Sequence, residues 1–241
     1  MVNVMGIRTA VGVIGNVISF CLFMCPGITF FKILKNKAVE GFKPDPYLAT
    51  VLNCLFWVMY GTPLVHPGSI LVSTINGFGV FIELVFLFIF LFYANDNKQR
   101  KYVGGILVLE LVVFGLVTGL ILGLVPKISN RSRILGIICI CLNICMYASP
   151  LTIIKKVIQT KSVKYMPFWL SVTNTLNGAC WTIYGLLRFD INLVIPNGLG
   201  FVCGLVQLAV YAWIWYLYRN TPGGDDEKQA KSEVQLPANT V

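Results

Sequence analysis

Long apolar runs alternate with short polar stretches along the whole chain. A helix crossing the hydrocarbon core of a bilayer needs about 20 predominantly apolar residues. Seven runs meet that requirement, at about 9–31, 44–63, 69–93, 102–125, 133–154, 166–187 and 191–218. The pattern therefore predicts seven transmembrane helices. The first run is too long for a signal-peptide core and lacks a basic n-region, so it reads as a retained span. The second and sixth runs are the least apolar, and each begins near a proline. Residues 219–241 are polar and without apolar periodicity, which predicts a disordered cytosolic tail. Ser232 and Thr240 lie in it, as phosphorylation sites or as ordinary solvated residues.

Composition supports the membrane reading. The chain is 56% hydrophobic and 12% charged, with a mean hydropathy of +0.76. That leaves too little polar surface to solvate a globule. A soluble enzyme, a disordered chain and a DNA-binding module are excluded. The net charge of +9 calls for no nucleic acid, because basic loops flanking membrane spans account for it. With the N-terminus outside, the inner segments carry 14 Lys and Arg and the outer segments 5. The positive-inside rule then predicts N-out, C-in. All eight cysteines lie in apolar runs without zinc-type spacing, so they read as free thiols acting as small buried hydrophobes. No metal or cofactor motif is present. Asn130-Arg131-Ser132 is a glycosylation sequon in a predicted outer loop.

The chain repeats itself. At an offset of 124, Gly12, Cys21 and Pro26 meet Gly136, Cys145 and Pro150. Lys37, Asn53, Trp57 and Tyr60-Gly61 meet Lys161, Asn177, Trp181 and Tyr184-Gly185. After a slip to 121, Asn76-Gly77 meets Asn197-Gly198. Spans 1–3 (6–93) thus recur as spans 5–7 (133–218), and span 4 (102–125) has no partner. A three-span unit starts and ends on opposite faces of the membrane, so one extra crossing is needed to make its copies parallel. The expectation is an all-α transmembrane fold of two parallel three-helix bundles, 3+1+3, joined by an inversion linker helix. A cavity on the axis relating the bundles is a transporter's architecture.

Polar residues within a span are expensive and usually face a cavity or another helix. Asn76 and Asn197 each precede a glycine. An amide offers donors and acceptors suited to a sugar hydroxyl, or it caps a helix kink. Asn53 and Trp57 share one helix face, as do Asn177 and Trp181. Amide plus indole suits carbohydrate, with hydrogen bonds at the ring rim and C–H groups against the aromatic face; packing bulk is the plainer role. Tyr60 and Tyr184, one turn further, are placed to close the cavity from outside. Pro26 and Pro150 fall inside their spans and permit a bend. Pro46 and Pro167 stand at the starts of spans 2 and 6, as hinges or as helix initiators. Glu83 and Glu110 are intramembrane acids. Glu83 lies on nearly the same face as Asn76 and is either a proton carrier or a structural donor. Asp190 precedes span 7, gating or merely solvated, and His66 reads as structural.

Several segments together resemble the SWEET sugar transporters of plants, across residues 6 to about 218. They are Lys43-Pro44-Asp45-Pro46-Tyr47, Leu52-Asn53-Cys54, residues 160–168 (TKSVKYMPF) and Ile195-Pro196-Asn197-Gly198. The resemblance implies a facilitative carrier with a central sugar site between the bundles. It implies that Asn76 and Asn197 bind sugar, Trp181 lines the pocket, and Pro26, Pro46, Pro150 and Pro167 form a proline tetrad. Tyr60 and Asp190 match the outer gate. Four positions linked to sugar size correspond to Leu22, Asn53, Met146 and Asn177. Bulky Leu and Met with two Asn resemble the hexose pattern, whereas smaller Val and Ser suit a disaccharide. The chain departs from the family at Met24-Cys25-Pro26-Gly27, where alanine more often precedes the proline. The resemblance also implies homo- or hetero-oligomers and the plasma membrane, with the vacuolar membrane as the alternative.

The expected function is therefore a bidirectional hexose uniporter working by alternating access, with a monosaccharide substrate and no cofactor. No GxxxxGK[ST] loop points to ATP drive. The alternatives are a proton-coupled symporter using Glu83, a sucrose-type carrier, and a seven-helix receptor, which the repeat and short loops oppose.

Overall fold

The computed structural model describes residues 3–39 and 41–218. The predicted tail at 219–241, with Ser232 and Thr240, lies outside the described residues. Among the described residues all regular structure is helical: α1 (Val4–Met24), α2 (Gly27–Asn36), α3 (Asp45–Tyr60), α4 (Ile70–Tyr93), α5 (Asn97–Leu124), α6 (Ile128–Met146), α7 (Ala148–Thr160), α8 (Phe168–Leu186) and α9 (Ile191–Tyr218), with a 3₁₀ turn at Val163–Tyr165.

The seven predicted spans become nine helices because spans 1 and 5 are broken. Proline has no N–H, and its ring clashes with the carbonyl four residues back. Those carbonyls belong to Leu22 for Pro26 and to Met146 for Pro150. The backbone tightens just before each proline. The Cys25 amide bonds the Leu22 carbonyl at 3.1 Å, and the Tyr147 amide bonds the Ile144 carbonyl at 3.1 Å. The chain then restarts as α2 and α7. Both restarted helices end alike, on Lys37 and Lys161 in the left-handed region at φ 53°. That position usually takes glycine. Pro46 stands in the first turn of α3, and Pro167 is the N-cap of α8.

Five helical stretches are long and apolar enough to cross a membrane: Val4–Asn36, Ile70–Tyr93, Asn97–Leu124, Ile128–Thr160 and Ile191–Tyr218. The α3 helix has 16 residues and α8 has 19; these are the two least apolar runs. Large apolar side chains face outward, with Phe92 and Leu124 each 74% exposed. A fold stable in water would hide such a surface, but lipid tolerates it. The same reasoning corrects the cysteine expectation. Cys54 and Cys139 are buried, while Cys21, Cys141 and Cys145 are exposed, because nothing drives a thiol inward from lipid.

The described residues group into two compact units, one within Ser19–Asn143 and the other within Met1–Ile18 and Ile144–Val241. In the first, α3 packs along α4, and α2 and α5 pack against this pair. Its core gathers Phe30, Tyr47, Val51, Phe86 and Phe90. The Phe30 and Phe86 rings stack at 4.3 Å with Tyr47 edge-on to Phe30. In the second, α8 and α9 form the main pair with α7 against α9, around Val157, Met166 and Ile214.

The sequon lies not in a loop but in the first turn of α6. Arg131 holds the end of α5 there. Its Nε donates to the Val125 carbonyl at 2.6 Å and its Nη2 to the Leu122 carbonyl at 3.0 Å. Those late α5 carbonyls lack intrahelical donors, which is why an arginine seats on them.

Candidate functional site

Each unit holds one half of the predicted set. Leu22, Pro26, Pro46, Asn53, Trp57, Tyr60 and Asn76 lie in the first, and Met146, Pro150, Pro167, Asn177, Trp181, Tyr184, Asp190 and Asn197 in the second. The two halves are built to one plan.

The asparagines share that plan. Asn76 Nδ2 donates to the Val72 carbonyl at 2.9 Å, and Asn197 Nδ2 donates to the Leu193 carbonyl at 2.8 Å. Each side chain is bonded back one turn within its own helix, which fixes its rotamer. All four asparagines are half-buried. Asn53 Oδ1 is buried and receives no hydrogen bond within the protein. A buried amide acceptor of this kind calls for a donor.

Close helix contacts lie beside the asparagines. A Cβ on Gly79 would stand 2.6 Å from Phe23 Cζ and 2.8 Å from Cys54 Sγ. This α3–α4 contact is one residue from Asn53 and three from Asn76. A Cβ on Gly178 would stand 2.8 Å from the Phe201 amide nitrogen and 3.1 Å from the Asn197 carbonyl oxygen. That α8–α9 contact adjoins both Asn177 and Asn197. Glycine is required at 178 because neighbouring backbone fills the space, whereas at 79 the space is taken by side-chain ends.

The aromatic pairs repeat as well. Trp57 meets Tyr60 edge-on at 5.4 Å, and Trp181 meets Tyr184 edge-on at 5.2 Å. Both indoles are largely enclosed by protein. Trp57 Nε1 donates to Asn143 Oδ1 at 3.3 Å. The Trp181 indole lies on Gly15 of α1, whose added Cβ would come within 3.2 Å of it.

The two tyrosines differ in what lies over them. Tyr60 stacks on His66 at 5.1 Å with the rings 13° apart, and His66 Nδ1 pairs with Ser69 Oγ at 2.8 Å. Tyr184 lies under the Arg8 guanidinium. Arg8 is buried, and sequence reasoning counted it only as a loop charge. The signal it carried was an arginine at the edge of an apolar run with no acid nearby. Asp190 is not merely solvated: it is 6% exposed. Its carbonyl accepts the Leu193 and Val194 amides at 3.0 and 2.9 Å, opening α9.

Glu83 and Glu110 are buried, and Oε2 of each receives no hydrogen bond. Glu83 belongs to α4. In the other unit Gly204 takes its place in the repeat.

A broken, repeated helical scaffold with paired polar residues inside apolar helices defines a multi-pass membrane transporter rather than an enzyme. The family described as "Sugar efflux transporter for intercellular exchange" matches residues 9–98 and 133–220. The chain is 52% identical over 232 residues to the rice (Oryza sativa subsp. indica) bidirectional sugar transporter SWEET7b, covering 96% of this chain and 84% of that protein. It is 49% identical to Arabidopsis thaliana SWEET5, covering 92% and 90%. A solved eukaryotic SWEET transporter superimposes with a TM-score of 0.86 at 38% identity, covering 89% of this chain and 100% of that one. The chain belongs to the MtN3/SWEET family of sugar transporters.

Proposed function

We propose that the chain is a facilitative, bidirectional uniporter for hexoses such as glucose, working by alternating access, with its N-terminus outside and its C-terminus cytosolic in the plasma membrane. Asn76 and Asn197 bind the sugar, and Asn53, Asn177, Trp57 and Trp181 complete its surroundings. Leu22 and Met146 limit its size. Pro26, Pro46, Pro150 and Pro167 act as hinges, and Tyr60, Tyr184 and Asp190 act at the outer gate. The observation that carries this reading is the duplicated asparagine geometry, each amide bonded back to its own helix at 2.8–2.9 Å. Two matching amides suit a ring with hydroxyls on both edges. The break beside Leu22 and Met146 supports the hinges, because each proline's clashing carbonyl belongs to a size-setting residue.

The test is counterflow of labelled glucose in proteoliposomes, with unlabelled glucose or sucrose inside and no ion gradient. Exchange with glucose alone is expected. Exchange with sucrose as well ends the size assignment.

The buried carboxyl of Glu83, with Oε2 receiving no hydrogen bond, supports a second reading, a proton-coupled symporter. That reading requires uphill glucose accumulation driven by a proton gradient, and wild-type protein that never accumulates sugar eliminates it.

A further inference from the structure

Tyr147 occupies the break between α6 and α7, one residue after Met146 and three before Pro150. Its hydroxyl donates to the Pro196 carbonyl. That carbonyl and the Gly200 amide are the two ends of one rung of the α9 ladder, in which the amide of residue i+4 pairs with the carbonyl of residue i. Glycine at 200 makes room, since an added Cβ would stand 2.6 Å from the hydroxyl oxygen. Pro196 sits inside α9 and has no N–H for the turn before it. Asn197 is the next residue.

The first repeat shows what is added here. The offset of 124 pairs Tyr147 with Phe23, and the offset of 121 pairs Pro196 with Ile75 and Gly200 with Gly79. The ring contact is kept, because an added Cβ at Gly79 would stand 2.6 Å from Phe23 Cζ. The phenyl ring carries no hydroxyl, and Ile75 has its N–H. Hydroxyl and proline therefore occur together, in the second repeat.

We propose that Tyr147 is a positioning residue that ties the α6–α7 break to the Pro196–Asn197 segment of α9. Bending near Pro150 and placement of the Asn197 amide then change together. This deepens the alternating-access reading above and rests on it.

The experiment compares full-length wild type, Tyr147→Phe, Pro196→Ile and the double variant in glucose counterflow. Tyr147→Phe removes one oxygen. Its maximum exchange rate is expected to fall about fivefold, the scale of one hydrogen bond, with half-saturation moving less than about twofold because the hydroxyl touches backbone. The double variant recreates the Phe23–Ile75–Gly79 arrangement and is expected to match Pro196→Ile alone. An unchanged Tyr147→Phe, a change confined to half-saturation, or losses that multiply in the double variant each overturn the tie. Hydrogen–deuterium exchange of a peptide covering 193–203 reads the tie without sugar. Faster exchange in Tyr147→Phe is expected, and unchanged exchange overturns the proposal. Wild type that fails to exchange glucose strikes the hexose reading instead, and the deuterium result still judges the tie.

Discussion

The Arg8 guanidinium carbon lies 3.8 Å from the centroid of the Tyr184 ring, and Arg8 Nε donates to the Tyr184 carbonyl at 3.3 Å. The arginine is 3% exposed. A buried guanidinium is tolerated only when it is well partnered, and here one tyrosine serves it by both ring face and backbone. Arg8→Lys keeps the charge but loses the planar fork. Glucose counterflow is expected to slow roughly three- to tenfold at an unchanged amount of protein in the membrane. Lysine performing as well as arginine would show that the stacked geometry is dispensable.

Asn76→Ala and Asn197→Ala are each expected to abolish counterflow while the protein still reaches the membrane. The two side chains hold equivalent bonds one turn back in their helices, so neither is predicted to substitute for the other. Surface labelling alongside uptake checks this, and transport retained in both variants removes the assigned site.

Glycines separate helix contact from helix surface. Gly178→Ala brings a Cβ to 2.8 Å from the Phe201 amide nitrogen, where backbone must yield. It is expected to destabilise the fold by roughly 1–3 kcal/mol. Gly119→Ala on α5 meets nothing within 4 Å and is expected to be neutral or stabilising by up to about 1 kcal/mol. Thermal unfolding in detergent compares the pair, and equal shifts would contradict the packing account.

Trimming the positions proposed to limit sugar size tests selectivity. Leu22→Val with Met146→Val, combined with Asn53→Ser and Asn177→Ser, is expected to admit sucrose. The gain is expected to be modest, on the order of tenfold per removed volume step. Sucrose exclusion that persists in the quadruple variant counts against these residues as the limit.

Glu83→Gln preserves shape and removes the charge. If the uniport reading holds, gradient-free counterflow is expected to persist and uptake to be indifferent to an imposed proton gradient. Loss of a gradient-driven component that wild type possesses would move the mechanism to symport.

Several elements are legible in the sequence. The hydropathy pattern predicts span 7 at 191–218 and α9 is Ile191–Tyr218; it predicts span 3 at 69–93 and α4 is Ile70–Tyr93. Boundaries failed where helices run on past the apolar run. The α7 helix continues to Thr160 through Lys155 and Lys156, because hydropathy marks the apolar length and not the hydrogen-bonded length. The sequon was misplaced for the same reason. The unequal tyrosine surroundings left no trace in the repeat alignment, since Arg8 and His66 are not equivalent positions.

By itself the sequence determined the all-helical membrane character, the 3+1+3 order and the paired asparagines. Each follows from local cost: an apolar run long enough to span lipid is a helix, and a polar residue kept in both copies of such a helix stands out. Only the tertiary structure decided who meets whom. Arg8 finds Tyr184 across 176 positions and Tyr147 finds Pro196 across 49. Such contacts depend on which helices pack together and where glycine lets them approach, and neither leaves a period in the chain.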